Sequence, residues 1–431
     1  MTLAALSLAL ATVQADTRPN VIVIVVDDVG YNDLSFTGNG DIPTPKVDRL
    51  ASNGVVLTQG YVVSTVCAPS RAGLMTGKYP TRFGFEFNEG TSTSNIFGLP
   101  GGEQTLASRL KTQGYATGMF GKWHLGTVDG KVPNDRGFDY FYGFLAGHNN
   151  YLPRQEGSIY PFFENRTPIE IDKYFPTDMT DKALSYIGEH ANDKFFMYLS
   201  YNNNHQPLEA PQKYLDRFPN MTGNRRIVAA MTSAVDDQIG RIARELRDRK
   251  LLNNTMIVFI DDNGGDSRLG SDNTPFRGRK GFVLEGGIRV PFFLSWPARI
   301  RSGRYDKPVA SIDIVPTVLQ ATGSPAKWFD RIDGVNLIPY LKKANPLTSA
   351  PHEAIYWRQG RMNGVRYGNF KYIWGEWDKP KVPFEELYDV ENDPSETTNL
   401  LRQLPNVKTF LLAKWNAWNA KNREPLWQPG G

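Results

Sequence analysis

The longest uninterrupted apolar stretch near the start of the chain is Val21-Ile22-Val23-Ile24-Val25-Val26. A β-branched run with no polar position inside it predicts a strand buried on both faces. Runs at 195–199 and 256–260 predict two more such strands, and 291–295 a shorter fourth. Between them, apolar positions recur at helical spacing over 46–53, 103–113, 178–190 and 225–250. Strands alternating with helices predict an α/β fold, a large mostly parallel mixed sheet sandwiched by helices. After about residue 350 the pattern changes to short alternating segments at 352–357, 361–367 and 370–374, then a helical one at 406–421. The expected organisation is a main α/β domain over 16–350 and a small antiparallel sheet with a helix over 351–431. No internal repeat occurs. Gly-, Asn- and Pro-rich stretches at 88–102, 143–168 and 264–281 are expected to be loops walling a site.

The first residues carry a different pattern. Leu3 to Ala11 is a short apolar run, and Val13-Gln14-Ala15 offers a small-x-small cleavage site. This predicts a signal peptide over 1–15 and an exported, periplasmic or secreted, protein, although the usual basic start is missing. The run is too short to span a bilayer, and no other segment predicts a membrane span. Composition adds little: 40% hydrophobic and 22% charged residues in 431 describe an ordinary globular chain. The net charge of +4 comes without the Lys/Arg blocks of nucleic-acid binders, so no nucleic-acid partner is expected. The single cysteine, Cys67, permits no internal disulfide. An unpaired thiol in an exported protein is unusual unless it is reactive, buried or modified.

Open α/β sheets bind ligands at the carboxyl ends of their strands. Two expected strands end in acids there, one in Asp27-Asp28 and the other in Asp261-Asp262-Asn263-Gly264. Clustered carboxylates need a counter-ion, and carboxylates with an amide oxygen suit Ca²⁺ or Mg²⁺ better than zinc. In Cys67-Ala68-Pro69-Ser70-Arg71, proline favours a helix start. Cys67 then lies near a helix N-terminus, where anions are favoured, and Arg71 returns to the same face one turn later. In Gly121-Lys122-Trp123-His124-Leu125-Gly126, strand alternation sends Lys122 and His124 to one side. A cation beside an imidazole suits an oxyanion and a proton transfer. His205 follows the 195–199 strand in the same way, and Lys280 lies in a Gly-rich loop that could bring a second cation.

These residues together resemble the formylglycine-dependent type I sulfatases of the alkaline phosphatase superfamily. The likeness rests on Cys67-x-Pro69-Ser70-Arg71 with Thr76-Gly77, on Gly121 to Gly126, and on the two acidic strand ends. It extends to Leu387-Tyr388-Asp389-Val390 with Asp393-Pro394, Glu396 and Asn399-Leu400. It covers about residues 18–400, in the family's order. The resemblance implies that a maturation enzyme oxidises Cys67 to formylglycine, whose hydrate attacks sulfur. It further implies that Asp27, Asp28, Asp262, Asn263 and the residue at 67 bind Ca²⁺, with Mg²⁺ as the other option. Arg71 would steady the nucleophile, Lys122 and Lys280 would hold sulfate, His124 would bond the aldehyde hydrate, and His205 would protonate the leaving alcohol. Two departures stand out. Asp261 replaces the usual serine or threonine before the Asp-Asn pair, either behind the metal ligands or as extra negative charge. Ala146-Gly147-His148 replaces a Ser-His pair.

The insertion carrying His148, Asn149, Asn150, Tyr151 and Arg154 mixes amides with an aromatic ring, which suits a carbohydrate. His148 and Asn149 are the substrate-contact candidates. The stretches 70–76 and 82–88 are similar to polysaccharide sulfatases of marine bacteria, which implies a sulfated galactan such as carrageenan. Other readings remain open from the residues alone: a phosphonate or phosphate-ester hydrolase of the same superfamily, a thiol enzyme, and a non-catalytic glycan-binding relative. The last would be marked by loss of Cys67, Lys122 or His205, and all three are present.

Overall fold

The computed structural model describes residues 16–38, 40–88, 96–378 and 381–428. The signal-peptide expectation at 1–15 lies outside the described residues. The strands, in chain order, are β1 (Asn20–Val26), β2 (Val55–Leu57), β3 (Gly60–Tyr61), β4 (Ala116–Lys122), β5 (Tyr140–Phe144), β6 (Phe162–Glu164), β7 (Thr167–Ile169) and β8 (Phe195–Ser200). They continue with β9 (Thr255–Asp261), β10 (Phe292–Ser295), β11 (Gly303–Tyr305) and β12 (Val309–Ala310).

β1 holds the centre of a ten-stranded sheet ordered β11-β2-β10-β9-β1-β8-β4-β5-β6-β7. All seven of its residues are buried, as the apolar run Val21–Val26 requires. Its alternation divides the core: Val21, Val23 and Val25 join one apolar cluster, and Ile22, Ile24 and Val26 the other. Each fully buried side chain of this kind contributes about 1.5–3 kcal/mol. β9, β1, β8, β4 and β5 run parallel, which brings their carboxyl ends to one edge. Helices Pro45–Ser52, Phe175–Glu189 and Gly223–Asp248 supply side chains to the cluster containing Ile22, while Cys67–Thr76 and Ile314–Ala321 supply the opposite one.

The expected strand at 291–295 forms as β10 but runs antiparallel to β9. The 143–168 stretch expected to be loop instead begins in the end of β5 and closes on a short antiparallel hairpin, β6 and β7, that runs to Ile169. A second sheet of four antiparallel strands, β13 (Ala354–Gln359), β14 (Met362–Tyr367), β15 (Phe370–Asp378) and β16 (Lys381–Asp389), follows, with helix Pro405–Asn419 against it. A buried lysine ties the four-stranded sheet to the main domain: Lys371 Nζ on β15 sits 2.9 Å from both Glu285, in the short helix before β10, and Glu396. Glu285 also accepts a bond from Tyr61 at 2.7 Å. Among the described residues no helix is long and apolar enough to cross a membrane.

Candidate active site

At the carboxyl end of β1, Asp27 and Asp28 turn into the site, with Asp28 in the left-handed region at φ 62. Cys67 is the first residue of its helix, capped by the extended Val66, and Pro69 occupies the third position, within the first turn. Its Sγ lies 3.7 Å from Asp27 Oδ1 and is fully buried. One turn on, Arg71 gives Nε to Asp262 at 2.7 Å and Nη1 to Ser200 Oγ at 2.5 Å. Ser200 Oγ in turn donates to the Lys122 carbonyl at 2.7 Å. The helix and the ends of β8 and β4 are thereby fixed to one another.

Lys122 is the last residue of β4, and its Nζ lies 2.6 Å from Asp27. It reaches the site past Gly121, where φ is +105 and a Cβ would come within 1.9 Å of the Ser200 carbonyl. The strand ends there, so alternation does not place His124. That residue adopts φ 56 instead, with its ring over Gly147, whose added Cβ would lie 2.7 Å from Nε2. His124 Nδ1 is buried without a hydrogen-bond partner. Burial and then Lys122 and Arg71 hold its pKa well below the usual imidazole range.

Lys280 Nζ is 2.8 Å from Asp28, and burial is outweighed there by Asp28 and Cys67, which hold the ammonium firmly charged. His205 Nε2 is 3.9 Å from Asp28, while its Nδ1 faces the Gln206 carbonyl at 2.8 Å. Burial, then Lys280 and Lys122, lower its pKa to about 3. His148 lies parallel to His205 with ring centroids 6.0 Å apart, and meets Tyr160 edge-on.

Asn149 is different. It is fully buried, its amide donates to the Tyr160 carbonyl, and its oxygen accepts from the Asn150 and Tyr160 N–H groups. The side chain expected to meet substrate is therefore consumed in holding the loop. Tyr151 and Arg154 are similarly committed: Tyr151 donates to the Asn202 and His205 carbonyls, and Arg154 pairs with Glu209 at 2.6 Å. Sequence reasoning missed Ser200 and the bracing role of Tyr151. Both are local polar residues whose partners become visible only across the fold.

Asp27, Asp28, Cys67 and Asp262 each place one ligand atom within 4.8 Å of the others. Asp262 Oδ1 and Asn263 Oδ1 are buried acceptors with no hydrogen-bond donor. The Asn263 amide nitrogen is held by Asp28 Oδ1 at 2.7 Å and the Gly264 carbonyl, which leaves its oxygen uncommitted. Unmet buried acceptors cost about 1–3 kcal/mol each. A hard divalent cation is the group that answers such an oxygen set. Among the described residues, both groupings able to hold a metal share Asp27 and Cys67, so they form one centre. Asp261 stands behind it, accepting the Asp262 N–H at 2.8 Å. Burial, followed by Asp262, Asp28 and Asp27, pushes its carboxyl well above the usual range, and its oxygen orients the Asp262 backbone.

A family model described as "Sulfatase" matches residues 19–324, well over half of the chain. The chain belongs to the sulfatase family. It is a sulfuric ester hydrolase. A second model, "N-sulphoglucosamine sulphohydrolase, C-terminal", matches residues 278–414. The sulfatase is 30% identical over 401 residues to N-acetylgalactosamine-6-sulfatase of Sus scrofa, covering 87% of this chain and 75% of that one. It is 28% identical over 467 residues to arylsulfatase J of Mus musculus, covering 96% and 77%. The crystal structure of Ps i-CgsB superposes with a TM-score of 0.89 at 33% identity, covering 95% of this sulfatase and 94% of that chain. The same protein has been solved in complex with k-i-k-neocarrahexaose, and that structure matches at a TM-score of 0.88.

Proposed function

We propose that this sulfatase removes sulfate from a sulfated galactan of the carrageenan type, using a formylglycine made from Cys67 by a maturation enzyme and one bound Ca²⁺. The observation that carries the reading is the buried grouping of Asp27, Asp28, Cys67 and Asp262 within 4.8 Å, flanked by Lys122 and Lys280. Carrageenan is favoured by the likeness to Ps i-CgsB, solved with a neocarrahexaose, at 33% identity over nearly all of both chains.

Cys67 Sγ marks the position from which the oxidised side chain would act. The unmodified thiol suits attack poorly: burial, then Asp262 and Asp27, push it up to about 12 against the pull of Lys122 and Lys280. An aldehyde hydrate at this position supplies an oxygen nucleophile, and a divalent cation supplies the positive charge that favours its ionised form. Asp27, Asp28, Asp262 and Asn263 would hold the cation. Arg71, fixed between Asp262 and Ser200, keeps the residue-67 helix in register with them.

Lys122 and Lys280 approach from opposite acids, so an SO₃ group held between them meets two preorganised cations. His205, 3.9 Å from Asp28 and partly exposed, would serve the leaving alcohol. In the free site it is neutral, because the two lysines act on a buried ring. A sulfate ester brings negative charge between those lysines, which favours the protonated imidazole that a general acid for the departing alkoxide needs. His124 keeps an uncharged ring with an uncommitted nitrogen, as a hydrogen-bond partner or base at residue 67 requires. His148, parallel to His205, is the member of the insertion available to the sugar. The protein acts after export, on a polymer outside the cytoplasm.

The test is a panel of defined sulfated oligosaccharides, scored for released sulfate and the position lost. Release from a galactan 4- or 2-sulfate supports the reading. Turnover of an aryl phosphate in preference to an aryl sulfate contradicts it.

A further inference from the structure

Helices Pro45–Ser52 and Gly223–Asp248 enclose a groove of about 410 Å³, far from the catalytic residues. Thr232 of the long helix bonds Asn204, next to His205. Arg247 lies 15 residues further along, about 22 Å down the helix axis, where the chain turns toward the start of β9. The groove therefore opens at the end of the sheet opposite the acidic cluster.

Its charged lining is Lys46, Arg49, Arg244 and Arg247, with no acid among the lining residues. Lys46 is compensated, with Nζ 2.9 Å from Asp237 and 3.4 Å from Asp236. Arg49, Arg244 and Arg247 are exposed and form no ion pair among the described residues. This is not the habit of the helix as a whole, since Arg241 pairs with Asp181 and Arg225 with Asp33. Two helices thus bring three exposed arginines, none in an ion pair among the described residues, to the lining of one groove. Leu50, Ala243 and Leu252 give the concavity an apolar floor. Gly240 shapes one wall: a Cβ there would meet Lys46 Cγ at 2.6 Å, so its absence lets the lysine stem cross the helix.

We propose that this groove is a second binding site, for a segment of sulfated polysaccharide remote from the ester being cleaved. Guanidinium is a planar fork that bonds sulfate oxygens in pairs. Apolar side chains between such forks suit the faces of sugar rings, and the volume is that of a site for a ligand a few rings long. The choice of a sulfated chain as occupant rests on the proposed function. Anchoring a polymer at a distance raises the concentration of its other sulfates at the catalytic pocket without altering that pocket.

Affinity electrophoresis through gels containing kappa-carrageenan, dextran sulfate or polyglutamate tests this. Wild type is expected to be retarded by both sulfated polymers and much less by polyglutamate. The variant Arg49→Gln/Arg244→Gln/Arg247→Gln is expected to bind the sulfated polymers about tenfold or more weakly, from three lost charge contacts. Its turnover of a small aryl sulfate should equal that of wild type. If the triple variant unfolds, Arg244→Glu alone should show the same direction of change. Equal retardation of wild type and variant overturns the proposal, as does equal retardation by polyglutamate. Dextran sulfate needs no catalysis to be bound. A protein that binds it through these arginines yet desulfates no sugar keeps the groove and sinks the proposed function; an active but unretarded protein does the reverse.

Discussion

Replacing Lys280 by methionine separates two roles that the structure gives one side chain. Its Nζ lies 2.8 Å from Asp28, and only 13% of the side chain is exposed. If the ammonium closes on the SO₃ group in the transition state, its loss removes one preorganised charge. Such a donor supplies about 3–4 kcal/mol, so kcat on an aryl sulfate should fall about 10²- to 10³-fold. The substitution also leaves Asp28 with the Asn263 amide and a distant His205 as its remaining partners. Breaking a buried pair from one side costs about 3–5 kcal/mol of stability. Added calcium should recover much of that stability, because a cation bound by Asp28 favours the folded state, but it should not recover kcat. The assay is aryl-sulfate turnover with saturating calcium, alongside urea unfolding with and without calcium. A kcat within about threefold of wild type, in a variant that folds and binds calcium, would refute the assignment of Lys280 to the sulfate.

Gly147→Ala places a Cβ 2.7 Å from His124 Nε2, so the ring must move. A misplacement of that order should cut kcat about 10²-fold while leaving the melting temperature nearly unchanged; unaltered kinetics would remove His124 from the chemistry. Lys371→Met leaves Glu285 and Glu396 facing each other, and unfolding should show a loss of about 3–5 kcal/mol. Adding Glu396→Gln to that variant should restore part of the loss, and a double variant no better than the single one would contradict the pairing. His352 Nε2 contacts both Asp313 oxygens at 2.7 and 2.8 Å, and Asp313 raises its pKa against the effect of burial. That stabilisation is fully present below the unfolded value of about 6.5 and is lost as pH rises through the higher folded value. Urea unfolding between pH 6 and pH 9 should show a fall in stability that His352→Gln abolishes; the same slope in both proteins would count against it.

Much of this was legible in the residues, for physical reasons. A run such as 21–26 fits only a strand covered on both faces, and acids at two such strand ends must meet where parallel strands finish. Motif order then pointed to the lysines, histidines and Asn263, and the fold brings Lys122, Lys280 and His205 within reach of Asp27 and Asp28. Other features depend on partners distant in sequence. β10 reads like its neighbours, but its antiparallel direction depends on the path of the long connection from β9, which its own residues do not encode. β6 and β7 are three residues each and half-exposed, so they carry no period to detect. Asn149 looked like a sugar contact because amides bind hydroxyls, and only the folded loop shows both ends of its amide already taken. Asp261 illustrates the same limit: that its carboxyl oxygen accepts the Asp262 N–H behind the metal ligands is visible only in the folded strand end.

The central claim concerns the side chain at position 67, and intact-mass analysis of the peptide that carries it tests that claim most directly. In protein with full aryl-sulfatase activity, made where a maturation enzyme is present, this peptide should be about 18 Da lighter than its sequence, as conversion of cysteine to formylglycine requires. Cys67→Ala should be inactive. A peptide carrying an unmodified thiol, in fully active protein, would contradict the account.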